Sequence, residues 1–176
     1  GSEEILGADA DVPPAISGLR RQLLLTRLVQ ARAPMPLEQA AMLAIELARL
    51  IDRVRTERLS FDRLVDIVPE EHAQHWQETL KFLTIVTEHW PRILAEEGAI
   101  DAADRRNRLL ETQTRRWHAD PPKGPVIAAG STGSIPATAD LLAAIAALPQ
   151  GAIVLPGFDV AIEAGIAEAA REDPQH

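Results

Sequence analysis

The sequence contains no cysteine and no tyrosine, and aromatic residues make up only 3% of it. Without cysteine there are no disulfides and no thiolate metal sites, and a reducing cytoplasm is the expected setting. With so few aromatic rings, a platform that stacks successive single-stranded bases is hard to assemble. No apolar run approaches the ~18 residues that a membrane-spanning helix requires, and no secretory signal is evident, so no membrane partner is expected. What is present is a globular composition: 176 residues, 46% apolar and 25% charged. That is enough chain to bury one large core or two small ones.

The formal net charge is −8, which argues against a surface given over wholly to nucleic acid. The charges are unevenly spread, however. Arg20, Arg21, Arg27 and Arg32 fall in a stretch without acids, and Arg105, Arg106, Arg108, Arg115 and Arg116 dominate another. The acids gather at Glu70, Glu71, Glu78, Glu96 and Glu97. The arginines read as solvated helix faces with ion pairs, or as a surface for DNA or an acidic partner.

Residues 1–13 read as a tag-cleavage scar (Gly1-Ser2) and a linker, and residues 14–122 as a helical domain. A first helix is predicted from Pro14 to Ile16 onward, with an apolar stripe of Ile16, Leu19, Leu23 and Leu28. Pro34 and Pro36 separate it from a second, whose predicted buried face is Leu37, Ala41, Ala44, Ile45, Ala48 and Ile51, opposite Glu38, Glu46, Arg49 and Arg53. Ser60 suits the N-cap of a short helix through Phe61, Leu64 and Val65. Pro69 opens a longer one carrying Trp76, Leu80, Leu83, Trp90 and Leu94, which Pro91 should kink or split. Gly98 is placed as a C-cap, and Asp101 as the cap of a last helix with Ala103, Leu110 and Trp117 at heptad spacing.

Composition changes at Lys123, and residues 123–176 read as an α/β segment. Val126 to Ala129 form a short buried strand, Gly130 to Ser134 a loop, and Pro136 starts a helix through Leu148. Gly151 is read as a turn before a second strand, Ala152 to Leu155. Strand, helix and strand in so few residues predict a parallel βαβ unit. Two strands cannot bury both faces of a sheet, so an exposed edge is expected. The fold class is therefore mostly α with a small α/β part.

The loop after the first strand could be a plain tight turn or an anion cradle at a helix N-terminus. It fails the P-loop pattern, because five residues separate Gly124 from Gly130 and Ser131 stands where a lysine is needed. Gly130 and Gly133 do not make a dinucleotide fingerprint either. Glu71-His72 with His75 has the wrong spacing for a zinc helix, and His118 has no partner set. Gly130-Ser131-Thr132-Gly133 is not a nucleophile elbow. Trp76, Trp90 and Trp117 are expected to anchor the helical core rather than to stack bases. No cofactor, metal or catalytic residue is expected.

The stretch Gly124-Pro-Val-Ile-Ala-Ala-Gly-Ser-Thr-Gly-Ser-Ile-Pro-Ala-Thr-Ala-Asp-Leu-Leu142, followed by Leu148-Pro-Gln-Gly-Ala-Ile-Val-Leu-Pro-Gly157, resembles the AddB-type subunits of bacterial AddAB helicase–nucleases, in their alphaproteobacterial form. Leu19-Arg-Arg-Gln-Leu-Leu-Leu25, His75-Trp76, Ile85-Val86-Thr87 and Trp90-Pro91 extend the resemblance upstream, so that it covers nearly the whole chain from about residue 10. It implies an internal piece of the N-terminal helicase-like region, with a helical accessory domain followed by a partial RecA-like unit. In active helicases of this superfamily the first strand ends in Asp-Glu, which hold Mg²⁺ and activate water. The resemblance places those positions at Ala129 and Gly130, neither of which can ligate a metal or take a proton. After the second strand, Pro156-Gly157-Phe158-Asp159 replaces a nucleotide-sensing motif. The implied role is non-catalytic, within a machine that resects DNA double-strand breaks for homologous recombination. Its implied partners are an AddA-type motor subunit and, through the complex, DNA. Arg105, Arg106, Arg108, Arg115, Arg116, Ser131 and Thr132 are the candidate contacts. The alternative is a helical protein–protein scaffold that does not touch nucleic acid.

Overall fold

A computed structural model describes residues 11–32, 34–61 and 83–157. Its elements are α1 (Gly18–Arg32), α2 (Leu37–Thr56), a π-helical turn (Ile85–His89) running into α3 (Trp90–Glu96), α4 (Ala102–Ala119), β1 (Val126–Ala129), α5 (Pro136–Ala147) and β2 (Gly151–Val154). The architecture is mostly helical with one small parallel sheet, as the sequence predicts. The expected features of the helix from Ser60, and of the one opened by Pro69 with His72, His75, Trp76 and Leu80, lie outside the described residues up to Leu83, as does everything after Gly157.

The first helix begins later than its apolar pattern suggests. Ahead of it the chain is extended and pairs with the turn before α4. The Ile16 N–H donates to the Ile100 carbonyl at 2.9 Å, and the Ile100 N–H to the Pro14 carbonyl at 3.0 Å. Ser17 then caps α1, its hydroxyl accepting the Arg20 N–H at 3.4 Å. Ile16 is therefore buried as extended chain, and the predicted stripe is out of phase with the helix. Leu25, Thr26 and Val29 form its buried face, whereas Leu19 is 74% and Leu23 53% exposed.

On α2 the buried residues are Ala40, Ala44, Leu47 and Ile51. Leu37 and Ile45, expected inside, are exposed. The alanines let α1 approach closely enough for its polar side chains to reach the α2 backbone. Gln22 Nε2 donates to the Ala41 carbonyl at 2.9 Å and Arg21 Nη2 to the Ala48 carbonyl at 3.3 Å. The core closes with Phe61, Leu83, Ile85, Val86, Trp90 and Leu94. Trp90 is an anchor as expected, but Trp117 is only half-buried.

The helix runs on through Pro91 and is not split into separate pieces there. Proline lacks an N–H, and its ring collides with the carbonyl four residues back. The turn preceding it widens instead: the Trp90 N–H donates to the Ile85 carbonyl, five residues away. Gly98, at φ +60°, ends α3 in a Schellman motif, with Gly98 N–H to Ala95 and Ala99 N–H to Leu94. Arg58 ends α2 by the same pattern at φ +55°, in a conformation that glycine usually takes.

In the α/β part β1 pairs with β2 in parallel, Val126 opposite Gly151 and Ala129 opposite Val154. The second strand starts one residue earlier than predicted, because Gly151 is its first pairing residue rather than a turn. Ala137, Leu142, Ala144 and Ile145 are the buried residues of α5, which packs on both strands and on α4. Each strand alternates half-buried and exposed residues. The exposed set carries Ile127 and Val154, at 67% and 57%.

Candidate functional site

The end of β1 holds the two positions, Ala129 and Gly130, singled out in the sequence. Ala129 is the last strand residue, and Gly130 turns the chain at φ +79° while its N–H donates to the Val154 carbonyl at 3.1 Å. The Ser131 hydroxyl accepts the Gly133 N–H at 3.3 Å, closing a local turn, and Thr132 is exposed. Gly133, at φ +69°, lies so close to α5 that a Cβ there would stand 3.2 Å from the Leu142 side chain. The loop is thus a self-bonded turn that presents hydroxyls and backbone, with no carboxylate from Val126 to Pro136. Among the described residues no three His, Asp or Glu side chains converge as a metal site would.

The arginines lie on α4. Residues 105, 108, 112, 115 and 116 fall within one face at the 3.6-residue period, opposite buried Ala103 and Asn107. Arg108, Arg115 and Arg116 are exposed and Arg105 is half-buried. From Arg105 to Arg116 this face runs about 16 Å along the helix axis. Five arginines and His118 share α4 with only two acids, Asp104 and Glu111. Arg108 Nη2 is 2.9 Å from Asp104, one turn before it, and Arg115 donates to Thr112 at 3.1 Å. Arg106 points elsewhere: it donates to the Thr56 hydroxyl at 3.0 Å and, with Arg105, Ala15, Leu109 and Leu110, lines an open groove of about 360 Å³.

What links the arginine face to the loop region is α5. Its Asp140 borders a cleft of about 230 Å³ with Arg58, Glu111, Thr114 and Arg115. Arg58 spans that cleft, 3.0 Å from Glu111 and 2.6 Å from Asp140. Arg58 had no sequence signal, because nothing in the residues after α2 marks a left-handed turn.

A second polar centre, also unforeseen, ties α1, α2, α3 and α4 together. Asp101 occupies the N-cap position of α4, yet its side chain makes no capping bond. It is 1% exposed and accepts the Trp90 Nε1–H at 3.0 Å, with Arg21 Nε also at 3.0 Å. Arg21 also holds Asp52, with Nη1 to Oδ2 and Nη2 to Oδ1 both 2.9 Å. Burial pushes the Asp101 carboxyl above its ordinary range, against the opposing pull of Arg21 and of the Trp90 hydrogen bond. Nearby, Asn107 Nδ2 donates to the Arg55 carbonyl at 2.7 Å and fixes α4 to the end of α2.

No family model, no characterised protein and no solved structure matches the chain.

Proposed function

We propose that the chain is a non-catalytic, helicase-like module of a DNA-end-processing helicase–nuclease. It would act in double-strand break resection for homologous recombination, as the resemblance to AddB-type subunits implies. The observation that carries this reading is the end of β1. A parallel strand–loop–helix unit ends its first strand in Ala129-Gly130, so the position that should ligate Mg²⁺ and activate water holds a methyl group and a hydrogen. On this reading no ATP chemistry occurs at this unit, and the motor belongs to an AddA-type partner in the cytoplasm.

The face of α4 is the proposed contact with DNA. Arginine fits phosphate oxygens in bidentate fashion, and several on one helix face meet successive phosphates. With few aromatics to stack bases, such a contact grips the backbone and does not read sequence. Binding of labelled single- and double-stranded DNA, and its weakening in Arg108→Gln/Arg115→Gln, tests this.

A specific observation favours the second reading, a protein–protein scaffold. Leu19 and Leu23, one turn apart on α1, and Met42 and Ile45 on α2 are exposed apolar residues. A chain that captures a protein partner through them but ignores DNA at low salt is the scaffold.

A further inference from the structure

The C-terminal turn of α1, the π-helical turn and the start of α3 bring three basic side chains together. Arg32 Nη2 contacts His89 Nε2, and Arg92 Nη2 lies 2.9 Å from His89 Nδ1. A neutral imidazole has one N–H and one acceptor lone pair, and a guanidinium only donates. One arginine can therefore bond the ring, while the other faces a second donor. Among the described residues no carboxylate pairs with Arg32 or Arg92. Glu97, just past the end of α3, is already taken by Arg20 at 2.6 Å. Both arginines are exposed and His89 is half-buried, so the cluster opens to solvent.

We propose that Arg32, His89 and Arg92 form a phosphate-binding site. A phosphate group between the two guanidinium groups supplies the acceptors that this arrangement lacks, and it allows His89 to donate as well. The π-helical turn contributes directly, because His89 is its last residue and sits within reach of α1. Such turns recur at binding sites because the extra residue re-aims side chains without breaking the helix. The site shares no residue with α4 and stands or falls independently of the proposed DNA contact. The phosphate could be a free ion or a nucleic-acid backbone group, and the chemistry of recognition is the same.

The test follows the His89 ring nitrogens by NMR in the intact chain. Inorganic phosphate is titrated in one arm and a short single-stranded oligonucleotide in the other, each against chloride at equal ionic strength. We expect a saturable shift of the His89 ring signals that chloride does not produce, with apparent affinity reduced about tenfold or more in Arg32→Ser and in Arg92→Ser, the loss of a charge-assisted contact. A response in either arm supports the site, and the arm that responds identifies the source of the phosphate. No response beyond chloride in both arms overturns the proposal. So does an unchanged response in the Arg32→Ser/Arg92→Ser double variant. Far-ultraviolet circular dichroism checks that each variant remains helical, and His89→Gln, which keeps a side-chain N–H donor, should retain part of the affinity seen by calorimetry.

Discussion

Asp101 carries a charge into the interior, and its partners do not fully offset the loss of water. Its carboxyl is held above the ordinary range mainly by burial. A carboxyl with a raised folded-state pKa favours the folded chain most when protonated, so its contribution falls as pH rises through that raised value. Glu97 has the opposite sign: the Arg20 hydrogen bond holds its carboxyl below the usual range, and its smaller, solvent-screened contribution fades as the solution is acidified. Replacing Asp101 by Asn keeps an acceptor for the Trp90 indole and removes the buried charge. The stability of Asp101→Asn relative to wild type should therefore increase with pH from the ordinary aspartate range upward, in urea melts across pH. A pH-independent difference contradicts the assignment. Gly151 is constrained by space: a Cβ there would lie 1.7 Å from the Ile145 carbonyl oxygen, where α5 returns into β2. Gly151→Ala should cost about 3 kcal/mol or more, because only backbone movement relieves the overlap, and chemical denaturation measures it. Neither residue was legible beforehand. Asp101 matched a capping pattern and Gly151 a turn pattern, and in each case a partner distant in sequence decided the outcome.

At the scale of elements the periodic signals placed most of the helices and both strands within a few residues. The phase of a helix proved harder to read than its existence. Leu19 and Leu23 are hydrophobic, and counting from Ile16 put them inside. Once Ile16 pairs with Ile100 as extended chain, the helix starts at Gly18 and its buried side rotates to Leu25 and Val29. Leu19→Gln and Leu23→Gln should each change stability by no more than about 0.5 kcal/mol, whereas Leu25→Ala should cost about 2–5 kcal/mol in the same denaturation assay. Pro91 was a correct warning of disturbed helix geometry, but sequence alone did not show that the disturbance would include a widened turn. The arginine face of α4 was legible as a cluster of charge. Which arginines share a face became clear only from the helix phase, which turns Arg106 away toward Thr56.

For the molecule as a whole, a helical core built on α1, α2 and α3 holds α4, and α4 supports α5 with its two strands. The pairing of β1 and β2 followed from the strand–helix–strand order, and its parallel register agrees with that order. The ion pairs of Arg58 join the end of α2 to α4 and α5, so the arginine face and the glycine loop belong to one packed arrangement. Without an acid at the end of β1, ATP with Mg²⁺ should give no binding heat by calorimetry, and tight binding contradicts the proposed loss of ATPase chemistry.

The central claim, that α4 grips a nucleic-acid backbone, is tested most directly by fluorescence anisotropy of labelled single-stranded DNA across a salt series. The account predicts an association constant whose logarithm falls linearly with the logarithm of salt concentration, and a slope reduced by about one to two on neutralising Arg108 and Arg115 together. No binding at low salt, or an unchanged slope in Arg108→Gln/Arg115→Gln, contradicts it.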